Sequence, residues 1–155
     1  MKTLRVALIG YKFMGKAHSN AWRQANRFFP ELPARVEMDT LCGRDPAGVE
    51  RAREVLGWRR AEIDWRKVIA DPRIDIVDIC TANDTHCEMA VAAAKAGKAI
   101  LCEKPLSRTL AEAKQMVAAV NKARVVNMIC HNYRRIPAVA LARQMIAGGE
   151  LGKRI

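Results

Sequence analysis

Residues 4–15 read Leu4-Arg5-Val6-Ala7-Leu8-Ile9-Gly10-Tyr11-Lys12-Phe13-Met14-Gly15. A nearly continuous apolar run stops at a glycine, and a second glycine follows five residues later. That texture is a buried strand entering a tight turn and then a helix. Apolar runs of the same kind recur at 38–42, 74–80, 99–102 and 125–130, separated by segments with helical spacing. Strands that are apolar on both faces and alternate with helices imply a parallel sheet covered on both sides. The fold expected is α/β, a doubly wound parallel sheet, with strands at 3–9, 36–42, 74–80, 99–102 and 125–130 and a short element near 61–64.

Helix ends support that division. Asp45-Pro46 offers an N-cap followed by a proline in the first turn. Thr85-His86-Cys87-Glu88 and Thr109-Leu110-Ala111-Glu112 read as capping boxes. Gly97 stands where the helix starting at Thr85 should stop.

Composition narrows the partners. The 155 residues are one domain's worth, and 50% apolar with 28% charged residues excludes a disordered chain. A net charge of +11 admits nucleic acid, a membrane surface or a phosphorylated ligand. Nucleic acid is not expected, because the basic residues are scattered and no helix-turn-helix, RNA-recognition or zinc-finger pattern occurs. No membrane partner is expected either, since there is no apolar run of about 18 residues and no secretory signal. The cysteines at 42, 80, 87, 102 and 130 form no Cys-x-x-Cys, which fits a reducing, cytoplasmic setting. Their spacings to His18, His86 and His131 match no ligand pattern, so no metal is expected.

In an open parallel sheet, ligands bind beyond the carboxyl ends of the strands. Beyond the five apolar runs stand Gly10 to Gly15, Gly43-Arg44-Asp45, Thr81 to His86, Glu103-Lys104-Pro105 and His131 to Arg135. Glycines, hydroxyls and ionisable groups thus collect on one edge. The first of these loops resembles the dinucleotide fingerprint Gly-x-Gly-x-x-Gly with Lys12 at the middle glycine. Gly10 would make the turn and Gly15 would let the helix approach the strand. Phe13 and Met14 would lie at the helix N-terminus, whose free N–H groups and dipole suit a pyrophosphate. Lys12 either pairs with phosphate or carboxylate groups or points to solvent. At the end of the second strand, Gly43 and Arg44 stand where an acid would grip the ribose of NAD. Arg44 favours NADP(H), because a guanidinium forks onto phosphate. Asp45, able to face a ribose, keeps NAD as the alternative.

Gly10 to His18, Thr81 to His86, Leu101 to Leu106, Asn132-Tyr133-Arg134-Arg135 and Gly149-Glu150-Leu151-Gly152 occur in order. Together they resemble the Gfo/Idh/MocA family of nicotinamide-dependent oxidoreductases. The resemblance implies a Rossmann dinucleotide-binding domain over 1–123. Residues 124–155 would then be a last strand, a linker helix and the approach to a C-terminal substrate domain that is largely absent, with 151–155 leading into its first strand. It further implies an NAD(P)-dependent dehydrogenase moving hydride between the nicotinamide and a secondary alcohol of a sugar, inositol or related polyol. Lys104 would be catalytic beside the nicotinamide, oriented by Glu103 and followed by Pro105, and burial would make it a readier proton donor. Thr81, Asn83, His86 and Asn132 would line the cofactor, with His86 alternatively a first-turn polar residue. His131, Tyr133 and Arg134 would touch substrate or the domain junction. The family's catalytic Asp and His lie further along than residue 155, so the chain alone is expected to be inactive. Its apolar elements from Val125 onward are expected to drive homo-oligomer formation. The competing reading is a non-catalytic nucleotide-sensing module of the same fold, against which Glu103-Lys104-Pro105 favours the enzyme.

Overall fold

The computed structural model describes residues 1–152. Among them run β1 (Lys2–Ile9), α1 (Phe13–Phe28), β2 (Ala34–Cys42), α2 (Pro46–Leu56), β3 (Arg60–Glu62) and α3 (Trp65–Ala70). There follow β4 (Ile76–Ile79), α4 (His86–Lys95), β5 (Ala99–Glu103), α5 (Leu110–Ala123), β6 (Asn127–Cys130) and α6 (Pro137–Ala147). The strands form one sheet in the order β3-β2-β1-β4-β5-β6, and every neighbouring pair is parallel. This is the doubly wound, Rossmann-type order, with its reversal between β1 and β4.

β1 shows why the apolar runs are unbroken. Val6 and Leu8 face one way and pack with Leu41, Val49 and Trp58. Ala7 and Ile9 face the other way and pack with Val77, Ile79 and the inner faces of α3, α4 and α5. A strand covered on both sides has no solvent face to carry polar residues.

Two strands are shorter than expected. β4 begins at Ile76 because Ile74 and Asp75 serve the incoming turn, their amides donating to the carbonyls of Asp71 and Arg5. β6 begins at Asn127, and it pairs with β5 from there to Cys130. Of the helix ends, Asp45 accepts from the Gly48 amide at 3.1 Å, and Gly97 adopts φ +72°. The capping box at Thr85 does not form. A 3-10 turn (Asn83–Thr85) precedes α4, and the Thr85 hydroxyl is drawn to the Ala82 carbonyl and Thr81 Oγ1, both at 2.7 Å. At α5, Thr109 caps the Glu112 amide at 3.2 Å, but the Glu112 carboxylate returns to the amide and guanidinium of Arg108 instead of Thr109.

On the side of α1, a groove of about 1060 Å³ runs between this helix and the β5–β6 end of the sheet. Met14, Trp22, Phe28, Leu101 and Met128 line it, and Phe28 and Met128 are mostly exposed. α6 buries none of its residues and contributes none to the groove's lining. The further strand expected over 151–155 falls on 153–155, outside the described residues.

Candidate functional site

Parallel strands bring all their carboxyl ends to one edge, and the β1–α1 turn lies at the switch point. Gly10 has φ +100°, and a Cβ there would stand 2.6 Å from the Cys80 carbonyl oxygen, just beyond β4. A Cβ on Gly15 would collide with the Gly10 carbonyl oxygen. Both glycines are therefore required by close backbone approach. α1 begins with Lys12 as an N-cap that makes no side-chain hydrogen bond, so its first-turn amides have no side-chain acceptor. Lys12 and Phe13 are exposed, and Lys12 forms no ion pair among the described residues.

The same edge carries Asn83, whose Oδ1 is buried with no hydrogen-bond partner. A buried amide oxygen left unmatched is costly unless a ligand donates to it. The glycine turn, the uncapped helix and this orphan acceptor together fit a dinucleotide: space for a diphosphate, donors for it, and an acceptor for a hydroxyl or amide.

At the end of β2 a contact invisible in the sequence explains Gly43. The Tyr11 ring occupies the place that a side chain at 43 would take, and the Tyr11 hydroxyl crowds Gly48 in the same way. No acid fits at 43 while Tyr11 sits there. Asp45 is committed to the Gly48 amide, and Arg44 is exposed with no carboxylate partner among the described residues.

Glu103 ends β5 and is buried, whereas Lys104 is exposed, contrary to the burial expected for it. Lys104 lies one residue past the end of the strand, where the covered part of the run stops, and the Lys104–Pro105 bond is cis. One oxygen of Glu103, Oε2, accepts the Lys104 amide at 3.1 Å. His86 is buried, with Nδ1 3.0 Å from the Pro105 carbonyl and Nε2 3.1 Å from the Thr81 carbonyl. Its ring thus ties the loops after β4 and β5 together and offers no free nitrogen to the edge, where the sequence placed it among the lining residues. Thr81 accepts from the Thr85 hydroxyl. His131, Asn132, Tyr133 and Arg134 are exposed, and the last three lie on a 3-10 turn (Asn132–Arg135).

Three residues linked to Glu103 escaped the sequence reading of the site. His18 on α1 has Nδ1 2.9 Å from Asp78 Oδ2 and Nε2 3.0 Å from Glu103 Oε1. The Trp22 indole donates to the same Asp78 oxygen at 2.7 Å. Burial alone would push the His18 imidazolium down. Hydrogen bonding to Asp78, helped by the Cys130 and Cys80 sulfurs and by the Asp78 charge, outweighs it and holds the group well above its ordinary range. Burial pushes the thiols of Cys80 and Cys102 up to about 12. The available signal was Asp78 itself, a charge inside an apolar run, which must find partners if buried. His18 and Trp22 stand four residues apart and so share one face of α1.

Comparison with known proteins agrees with this architecture. A family model described as "Oxidoreductase family, NAD-binding Rossmann fold" (GFO_IDH_MocA) matches residues 4–131. The chain is 46% identical over 153 residues to levoglucosan dehydrogenase of Pseudarthrobacter phenanthrenivorans, covering 99% of this chain and 39% of that protein. It is 29% identical over 150 residues to myo-inositol 2-dehydrogenase of Thermotoga maritima, covering 97% of this chain and 42% of that one. A solved levoglucosan dehydrogenase in complex with NADH superposes with a TM-score of 0.91 at 45% identity, covering 98% of this chain and 41% of that chain. The chain thus spans about two fifths of the length of the relatives it matches.

Proposed function

The chain belongs to the Gfo/Idh/MocA family of oxidoreductases, and we propose that it is the coenzyme-binding part of a dehydrogenase acting on sugars, inositols or related polyols. The observation that carries this reading is the Gly10–Gly15 turn under the uncapped start of α1, on the same sheet edge as Glu103-Lys104-Pro105. The coenzyme, when bound, supplies the nicotinamide that takes or gives the hydride at a secondary alcohol. The α1 amides from Phe13 and Met14 onward, with Lys12 beside them, hold the diphosphate. Thr81, Asn83 and Asn132 line the nicotinamide half, and His86 braces the loop from below. Lys104, oriented by Glu103, reaches the substrate oxygen and stabilises its alkoxide character. His131, Tyr133 and Arg134 form the border with the substrate. The dinucleotide-binding domain is assigned to 1–123, and 124–155 to the passage toward the surface that holds the polyol.

The setting is the cytosol, with five free cysteines and no nucleic-acid or membrane partner. Among the described residues no helix is long and apolar enough to cross a membrane. The open groove beside α1 favours self-association, so a homo-oligomer is the expected state. On its own the 155-residue chain should show little or no turnover, because hydride transfer needs the substrate carbon held in near-attack geometry. Robust polyol oxidation by the purified chain would overturn that part of the reading.

Calorimetric titration of the chain with NADH and NADPH tests the proposal, with saturable binding of at least one expected. No binding of either at millimolar concentration would sink it. Arg44 is the preference-setting residue: its free guanidinium suits a 2′-phosphate, giving a lean toward NADP(H). Arg44→Asp should shift the NADPH-to-NADH affinity ratio toward NADH by about 10–100-fold, the worth of a charge-assisted contact plus the new repulsion. An unchanged ratio would place the discriminator elsewhere.

A further inference from the structure

The buried side chains between α1 and the ends of β4 and β5 form a connected chain: Trp22, Asp78, His18, Glu103 and the Lys104 amide. Asp78 is fully buried, Glu103 is 5% exposed and the His18 side chain is 13% exposed. Both ring nitrogens of His18 face carboxylate oxygens at hydrogen-bonding distance. Facing two ionised carboxylates, which only accept, both nitrogens donate, and only the imidazolium carries two N–H groups. The cation separates two buried carboxylates that would otherwise repel each other.

We propose that His18 is a positioning residue for Lys104: clamped by Asp78, it holds one oxygen of Glu103 so that the other fixes the Lys104 backbone, tying the coenzyme-binding helix to the reacting lysine. The proposal rests on the reading of Lys104 as the residue that meets the substrate oxygen. Its structural core, the link from His18 to the Lys104 amide, stands independently of it. Trp22 steadies the far end by donating to Asp78. The groups facing the imidazole are Asp78 from β4, Cys80 just after it, Glu103 from β5 and Cys130 from β6. The same atoms lie close enough to hold a metal ion in two overlapping sets, His18-Asp78-Cys80 and His18-Glu103-Cys130. A metal needs a ring nitrogen stripped of its proton, whereas this ring presents a carboxylate to each nitrogen.

Two measurements on the full chain test this. The first is the protonation of the His18 ring, read by long-range proton–nitrogen correlation in the unmodified protein, with the three histidines separated by through-bond connection of each ring to its own backbone amide. Both His18 nitrogens should carry protons from about pH 5.5 to about pH 8.5, well above the ordinary histidine range. A ring that turns neutral in that span, or that shifts on addition of zinc chloride, overturns the proposal, and this arm needs no folded variant. The second is amide hydrogen exchange in His18→Gln. The Lys104 amide should exchange at least about tenfold faster, as expected when one hydrogen bond of about 1.4 kcal/mol is lost, while amides of Val6 to Ile9 stay protected. An unchanged Lys104 amide refutes the positioning role. Binding then separates this from the proposed function. His18→Gln should weaken NADH about tenfold and leave ADP-ribose, which lacks the nicotinamide, within about twofold. Equal losses for both ligands count against positioning at Lys104. Absence of any binding by the unmodified chain counts against the coenzyme reading alone.

Discussion

Gly15→Ala is expected to abolish dinucleotide binding and to cost about 3–5 kcal/mol of stability, at the upper end for one methyl group. The added Cβ would run into the Gly10 carbonyl oxygen and would stand 3.3 Å from the Leu8 side chain. The first obstacle is backbone, so no rotamer change relieves it. The helix cannot slide away easily, because the Gly15 carbonyl accepts the Ser19 hydroxyl at 2.6 Å and that hydroxyl accepts the Trp58 indole at 3.0 Å. Relief therefore means lifting the start of α1 off the turn, which moves the amides that face the ligand. Gly97→Ala is the control: its φ of +72° is unfavourable for alanine, but no atom lies within 4 Å of the added methyl. That substitution should cost only about 1 kcal/mol. Urea unfolding of both variants, with calorimetry for the coenzyme, checks the pair. Equal destabilisation would show that close approach is not what Gly15 provides.

The second large effect concerns Asp78. Asp78→Asn leaves His18 without its main carboxylate partner in a buried site, a loss of about 3–5 kcal/mol. For a domain of this size that is a fall of about 10 °C in Tm. The pH dependence is the sharper signature. The folded-state value of His18 is raised, so its contribution is fully present below the unfolded value of 6.5. It is lost as pH climbs from there through the higher folded value. Above pH 6.5 the folded protein keeps a proton that the unfolded chain has released, and stability falls by up to about 1.4 kcal/mol per pH unit from this group. Asp78→Asn removes the largest influence raising the group and should flatten that slope. Cys42, Cys80 and Cys102, pushed up to about 12 in the fold, add a slope of the same sign only where the unfolded thiols ionise, at about pH 8.5 and above. The His18 slope is therefore read between about pH 6.5 and 8. Urea midpoints at about pH 6.5 and 8 would show it. The same slope in both proteins would mean that His18 is not held protonated by Asp78.

Much of the site was legible because its signals are local. A glycine needed for a positive φ, as at Gly10, leaves its mark within one residue, and the Asp45 cap within three. The Thr85 cap misled because its hydroxyl had two acceptors nearby in a 3-10 turn, and sequence spacing does not say which one wins. Lys104 misled differently: the run before it is buried, but burial ends at Glu103, one residue earlier than the charge.

By itself the sequence determined the alternation of buried strands and helices, and hence a parallel sheet whose polar loops share one edge. Those properties follow from periodicity and from steric demands within a few residues. Only the tertiary structure decided which charges meet. His18 lies 60 residues from Asp78 and 85 from Glu103, and they become neighbours because the strand order sets β4 beside β1 and β5 beside β4. The same long-range placement puts the Tyr11 ring against Gly43 and turns His86 inward onto two backbone carbonyls. A buried polar group takes whichever partner the packed chain delivers to it, and that choice is written in the order of the sheet, not in the spacing of residues along the chain.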